Sequence, residues 1–390
     1  MSLPARPLRV MLVAAEPSGD QLGAALMRGL RAATPAVSFT GCGGAAMAAE
    51  GFETLFPTDR LSVMGLADVL PAIPEVFRRA GELARHAVEA EADVAVLIDS
   101  WGFNHQVATR LRKRAPQLPV VKYVAPQVWA SRPQRVHTLK REVDCVLTLL
   151  PFEPPWFEAV DLPAYYVGNP NFEAAAAPGD GAGFRAEHGL GDAPLLCVLP
   201  GSRGNEIRYL LPVFEDVVRQ LTTRVEGLRI VIPLAPNVAD RVEAAVADWP
   251  GGPVLVRGTG ARRDAFAAAR AALAASGTVT TELALQGTPM VVAYKAGWLT
   301  TWWAKRVVTT KYATILNVMA DAELIPERIA ERCTPDELTP EVERLLTDEN
   351  ARAEQLAAIR RQTARLDLNS APGGERAAAA MLAFLRGRAR

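Results

Sequence analysis

The sequence predicts an α/β protein of two doubly wound parallel-sheet domains facing a central cleft. Three features lead there. Short apolar runs alternate with longer segments of helical period, the runs fall into two series, and 390 residues suit two or three domains. The first series places strands at residues 9–15, 38–41, 94–98, 120–124, 145–149 and 165–167. The second places them at 195–199, 229–233, 254–257, 271–274 and 290–293. Helices are expected at 21–32, 73–90, 206–225, 238–247 and 281–286. The series break near residues 170–183, where Asn169-Pro170-Asn171 and Pro178-Gly179-Asp180-Gly181 read as a linker. The expected division is a first domain at 1–170, a second at 184–365, and a C-terminal helix at 366–390 packing back on the first.

Composition narrows the functional classes. Lys+Arg 43 against Asp+Glu 43 leaves the chain formally neutral, which excludes a general nucleic-acid coat and a strongly electrostatic membrane anchor. The 49% apolar and 22% charged content is that of a globular protein, not of a disordered chain or coiled coil. Cys42, Cys145, Cys197 and Cys333 lie far apart without a CxxC pair, which speaks against a disulfide framework and suits a reducing cytoplasm. His86, His105, His137 and His188 have no metal spacing, and no Asp-x-Asp follows a strand, so neither metal nor cofactor is expected. Arg6 and Arg9 beside the apolar run 8–15 resemble an export signal, but Glu16-Pro17-Ser18-Gly19-Asp20 follows at once, and strand–loop–helix is the better reading. No stretch approaches the roughly 18 apolar residues of a membrane span. The expectation is a soluble protein, or one lying on a membrane surface.

Ligands of open parallel sheets bind outside the carboxyl ends of strands, so the residues to weigh are those just after each strand. Pro200-Gly201-Ser202-Arg203 follows the run 195–199 and opens a helix. Free amides at a helix start suit a phosphate and Arg203 adds a forked donor, although a tight turn with a solvated arginine fits equally. Ser276-Gly277-Thr278 repeats the device after 271–274, and Glu282 follows in the next helix. Glu282 can simply stabilise the helix start, or accept both hydroxyls of a ribose. Two such loops in one domain point to a nucleotide, while the absence of GxxxxGK(S/T) and of GxGxxG weakens ATPase and dehydrogenase readings. In the first domain Glu16, Ser18 and Gly19 form an anion-compatible corner, and Gly41-Cys42-Gly43-Gly44 allows close backbone approach or serves as turn chemistry. Asp99 ends the strand 94–98 beside Phe103-Asn104. It is a candidate general base for an alcohol, with helix capping as the plain alternative. Pro126-Gln127-Val128-Trp129 can shape the same edge, or form a proline turn with a packed tryptophan.

Two segments suggest surfaces. Residues 61–77 read LSVMGLADVLPAIPEVF, which is either a core helix or a lipid-facing patch built on Val63, Met64, Leu66, Val69, Leu70 and Ile73. Trp298, Trp302 and Trp303, followed by Lys305, Arg306 and Lys311, form an aromatic–basic cluster whose default is packed tryptophan beside solvated cations.

Taken in order, AAEPSGDQLGA, GCGG..MAAEGFETLF, LSVMGLADVL, IDSWGFN, YVAPQVWA, LLPFEPPWFE, VLPGSRGNEIRYLLPVF, ASGTVTTELALQGTPMVVAYK and LNVMA resemble the lipid-A-disaccharide synthase family of GT-B glycosyltransferases. The likeness runs from about Val10 to about Glu327. It implies transfer of 2,3-diacylglucosamine from its UDP conjugate to 2,3-diacylglucosamine 1-phosphate, giving a β(1→6) disaccharide with inversion. Asp99 matches the family's proposed base. Gly201, Ser202, Arg203, Ser276, Gly277, Thr278, Glu282 and Asn317 are assigned by the resemblance to its UDP side, and Glu16, Ser18 and Gly19, with the position of Gln127, to its acceptor side. The resemblance further implies a peripheral enzyme on the cytoplasmic face of the inner membrane, which makes 61–77 a membrane-contact candidate, and dimers with exchanged C-terminal portions.

The departures are specific. The family commonly has Ala-Pro-Asp-Phe-Asn where this chain has Ser100-Trp101-Gly102-Phe103-Asn104, so a mechanism needing that second carboxylate fails here. Gln127 stands where Ser is usual, Ser131 where Trp is usual, and Lys122 and Asn169 where His is usual. Two alternatives remain: another GT-B enzyme of UDP-N-acetylglucosamine, such as a 2-epimerase or soluble-acceptor transferase, and a silent lipid- or nucleotide-binding protein.

Overall fold

A computed structural model describes residues 6–34, 36–58, 66–297, 302–303 and 306–388; the side chains of 66–72 are outside the description. Two six-stranded parallel sheets are present. In the first, β1 (Leu8–Ala14), β2 (Val37–Cys42), β3 (Val94–Ile98), β4 (Val120–Tyr123), β5 (Cys145–Thr148) and β6 (Ala164–Tyr166) lie in the order β2-β1-β3-β4-β5-β6. In the second, β7 (Leu195–Leu199), β8 (Arg229–Pro233), β9 (Val254–Val256), β10 (Ala271–Ala275), β11 (Met290–Tyr294) and β12 (Glu327–Ile329) lie in the order β12-β11-β10-β7-β8-β9. Strands β3, β7 and β10 are buried along their whole length, as expected where helices cover both faces of a sheet.

Both sheets reverse direction once. The first chain segment runs outward from β1 to β2 and then returns to β3 on the other flank of β1. The second runs outward through β7, β8 and β9, then returns to β10 beside β7. The crevices outside the carboxyl ends of β1/β3 and of β7/β10 are therefore the topological switch points where such sheets bind ligands.

The predicted strands are all present, with no end displaced by more than one residue. Strand β12 was not foreseen: Glu-Arg-Ile is three residues long and carries two charges, too little apolar pattern to read as a strand. The helix expected at 21–32 starts earlier, at Pro17, because proline at a first helical position has the required φ and lacks only an amide that would go unbonded there.

By contact density the chain divides into Met1–Pro170 with Leu368–Arg390, and Asn171–Asp367. In the first unit the helix Gly373–Arg388 lies along the helix Pro17–Ala33. A Cβ on Gly29 would sit 2.4 Å from the Gly374 carbonyl oxygen, so the two backbones meet where neither has a side chain. Ala377, Ala378, Met381 and Leu382 then bury against the same core as Leu26, Met27 and Leu30. In the second unit the helix Gly204–Arg224 buries Ile207, Leu210, Leu211, Phe214, Val217, Val218 and Leu221, a three-to-four spacing that turns one stripe onto the sheet. Among the described residues no helix is long and apolar enough to cross a membrane.

Candidate active site

At the switch point of the first unit, Ser18 follows β1 and Asp99 follows β3, and the Ser18 hydroxyl donates to Asp99 Oδ2 at 2.7 Å. The backbone here is strained. Asp99 has φ +51°, Ser100 φ +32°, and Val124, after β4, φ +71°. Left-handed non-glycine residues cost about 1–3 kcal/mol each and persist only where their surroundings over-determine them. Here the Asp99 amide donates to the Tyr123 carbonyl at 2.9 Å, and the Val124 amide to Leu147 at 3.0 Å. Asn104 Nδ2 holds the carbonyls of Ile98 and Asp99 at 2.8 and 2.9 Å, and Lys122 Nζ also donates to the Asp99 carbonyl. Three strained residues at the ends of two adjacent strands mark a place where side-chain direction outweighs backbone comfort.

Lys122 sits in a strand buried from end to end. Burial pulls its ammonium down to about 8, against the opposing pull of the Asp99 and Glu16 carboxylates. Gly19 packs against Ile98 and Asp99. Gln127 is exposed, and its carbonyl accepts from the Ala130 and Ser131 amides, closing a turn. Trp129 is packed edge-to-face on Phe152, and its Nε1 donates to Glu153 Oε1 at 3.2 Å. Glu153 is 4% exposed, and burial pushes its carboxyl up to about 7, with the Trp129 and Leu150 hydrogen bonds pulling the other way. The glycine corner after β2 is turn chemistry: the buried Asp20 carboxylate accepts from the amides of Gly44, Ala46 and Met47 at 2.7 to 3.0 Å, in the position a bound anion would take.

At the second unit's switch point the turn after β7 holds Gly201 at φ +115°, and Ser202 and Arg203 are exposed. The amides of this turn are not free. Glu206 Oε2 accepts from Ser202 N at 2.9 Å and Arg203 N at 3.2 Å, and Oε1 meets the Arg203 guanidinium at 3.2 Å. This corrects the expectation of open amide donors: a glutamate in the first helical turn reaches back to cap the helix start. The guanidinium of Arg203 nevertheless remains largely in solvent. After β10, Gly277 and Thr278 are exposed, while the Ser276 hydroxyl lies 3.5 Å from the Ala313 carbonyl. Glu282 stands in the first turn of the next helix, with one carboxylate oxygen 2.7 Å from Arg262 Nη2.

Asn317 does not meet its expectation as a donor ligand. It is fully buried, its Nδ2 donates to the Ile325 carbonyl and Glu327 Oε1 at 2.8 Å, and its Oδ1 accepts from the amides of Leu324 and Ile325. Glu327 in turn accepts from Ala313 N and from Thr314 N and Oγ1. Asn317 thus fixes the loop whose Ala313 carbonyl meets Ser276, and presents nothing itself. Sequence reasoning missed Glu206, Arg262 and Glu327 as members of this corner. Only Glu206 carried a signal, its place three residues after the turn.

Val63 and Met64 lie outside the described residues, as do the side chains of Leu66, Val69 and Leu70. Ile73 and Phe77, on the helix Leu66–Glu89, are 40% and 47% exposed. Trp302 and Trp303 are exposed, with Arg306 stacked 3.6 Å from the Trp302 ring centroid; Trp298 and Lys305 are not described. A cavity of about 320 Å³ in the second unit is lined by Asp180, Phe184, His188, Arg257 and Asp264 among others, and by none of the residues proposed for the donor or acceptor side. No trio of His, Cys, Asp or Glu is gathered as metal ligands among the described residues.

Residues 10–380 match the family described as lipid-A-disaccharide synthetase. The lipid-A-disaccharide synthase of Paramagnetospirillum magneticum is 45% identical over 381 residues, covering 97% of each chain. That of Ruegeria pomeroyi is 45% identical over 391 residues, covering 98% of this chain and 96% of its own. Among solved structures, Acinetobacter baumannii MurG superposes with a TM-score of 0.57 at 16% identity, over 93% of this chain and 99% of its own. S. aureus MnaA with UDP gives 0.60 at 11% identity, over 90% and 91%. The last two share the fold.

Proposed function

The chain belongs to the lipid-A-disaccharide synthase family, and on that premise we propose how its residues divide the work of the reaction. It is a glycosyltransferase of lipid A biosynthesis that draws on a UDP-sugar. The 2,3-diacylglucosamine unit leaves UDP and joins the 6-hydroxyl of 2,3-diacylglucosamine 1-phosphate. Inversion at the anomeric carbon requires a base for that hydroxyl and positive charge for the departing diphosphate.

Asp99 takes the acceptor proton as the C–O bond forms, and Ser18, bonded to one carboxylate oxygen, keeps the carboxylate in one orientation. Glu16, Gly19 and Gln127 frame the acceptor side. The bond to UDP breaks with its electrons leaving on the diphosphate, which Arg203 neutralises with help from Ser202, Ser276 and Thr278. Glu282 accepts the ribose hydroxyls, held in place by Arg262. One observation carries the assignment: Ser18 with Asp99, and Arg203 with Ser276, fall at the switch points of their sheets, where the topology leaves room for a ligand.

The acyl chains of both substrates place the reaction at a lipid surface. We assign Ile73 and Phe77, with the rest of 61–77, to contact with the cytoplasmic face of the inner membrane. Pairing of two copies through their C-terminal portions is carried over from the family resemblance alone, and light scattering tests it.

The deciding assay supplies both lipid substrates in detergent micelles without added metal and follows UDP release and disaccharide mass. Both products are expected. UDP binding without disaccharide would leave the donor loops in place and move the acceptor elsewhere, with Gly102 and Gln127 the first residues to revert.

A further inference from the structure

A lysine in the middle of a buried strand needs a physical reason. Moving an ammonium out of water costs several kcal/mol unless acceptors and opposite charge compensate. Lys122 is 3% exposed, its sheet neighbours are Leu97 of β3 and Val146 of β5, and neither offers a partner. Its Nζ reaches instead across to the backbone carbonyl of Asp99. That carbonyl already has a donor in Asn104 Nδ2, so the lysine is not needed merely to satisfy it. What the lysine adds is positive charge, under a turn whose two residues both adopt left-handed φ. The charged groups facing it are Asp99 at the end of β3 and Glu16 after β1.

We propose that Lys122 is a positioning residue of the transfer: its ammonium clamps the Asp99 carbonyl, holds the strained Asp99–Ser100 turn that aims the carboxylate at Ser18, and must keep its proton for turnover. The inference rests on the reading of Asp99 as the base. It also gives a role to a position where this chain departs from the family's usual histidine.

The sign of the pH effect follows from burial. Lys122 holds its proton less tightly than a free lysine, so the clamp is charged below about 8 and is lost as pH rises through that value. The experiment measures kcat and KM of the full-length enzyme, Lys122→Met and Lys122→His in detergent micelles between about pH 6 and 10. The wild type should lose about tenfold in kcat on an alkaline limb centred near 8. Lys122→Met should have roughly tenfold lower kcat at neutral pH, donor KM within about twofold, and no such limb. Lys122→His should shift the limb down to about 6.5 or below, since the same burial disfavours a charged imidazole. A purely structural lysine would not move the limb in this graded way, and if the methionine variant fails to fold the histidine variant still decides. An unshifted limb in Lys122→His, or kcat within twofold of wild type in Lys122→Met, overturns the inference. Asp99→Asn, run alongside, separates the two claims. Inactivity there with unaffected Lys122 variants sinks the clamp and spares the base, whereas full activity there removes the base itself.

Discussion

Asp99 and Arg203 have separable duties, and their variants should separate too. Asp99→Asn keeps the size and the Ser18 contact but cannot take a proton, so turnover should fall about 10²- to 10⁴-fold. UDP affinity by calorimetry should be unchanged. Arg203→Ala should instead weaken UDP about 10- to 100-fold, the scale of one charge-assisted hydrogen bond; an unaltered UDP titration would take Arg203 off the diphosphate. Glu153 adds a pH effect of its own. Its folded carboxyl titrates near 7 rather than at the ordinary 4.5, so it favours the folded state below the ordinary value and that stability is lost as pH rises through about 7. Between about pH 5 and 8 the wild type should therefore lose on the order of 3 kcal/mol more than Glu153→Met. Equal pH slopes in urea unfolding of the two would dismiss this.

How much of this was readable beforehand differs by residue, for physical reasons. The placement of Asp99, Ser18, Arg203 and Ser276 at the strand ends was readable because each lies within a few residues after an apolar run, and parallel sheets place such residues at the ligand edge. Lys122 appeared only as a departure from the family's usual histidine, since its partner comes from another strand. Asn317 was misjudged because a sequence does not say which side of a loop an amide faces; here it faces inward and all its bonds are internal.

At the scale of elements, the helices after β2 and β7 each begin on an internal carboxylate, Asp20 for the short helix Ala45–Ala49 and Glu206 for the long helix Gly204–Arg224. The turn after β7 had read as an open phosphate site, and the glycines after β2 as room for close backbone approach or as turn chemistry. A glycine-rich turn before a helix looks the same in sequence whether a ligand or a side chain caps it, and only the fold decides. Asp20→Ala leaves three amides without their acceptor and should cost about 1–3 kcal/mol in urea unfolding, with no change in UDP affinity. Strand positions were the most readable elements, as short apolar runs between segments of helical period. Strand β12 and the helix ends were the least, because edges and caps rest on tertiary partners.

For the whole molecule, the exposed pair Ile73 and Phe77 sits four residues apart on one helix, and so on one face. An Ile73→Ser, Phe77→Ser double variant should sediment less with liposomes of mixed anionic phospholipid, by about tenfold, while converting a micellar substrate pair to disaccharide at an unchanged rate. Unchanged sedimentation would move membrane contact away from this helix.

The path of the chain has a consequence for how the protein is made. Because the helix Gly373–Arg388 completes the core that β1 and the helix Pro17–Ala33 begin, the second unit is an insertion within the first. During synthesis residues 171–367 emerge entire and can fold while the earlier half still waits for its last helix. The apolar face formed by Leu26, Met27 and Leu30 stays uncovered until residues 373–388 have left the ribosome. A stop codon before Gly373 would thus damage the half translated first.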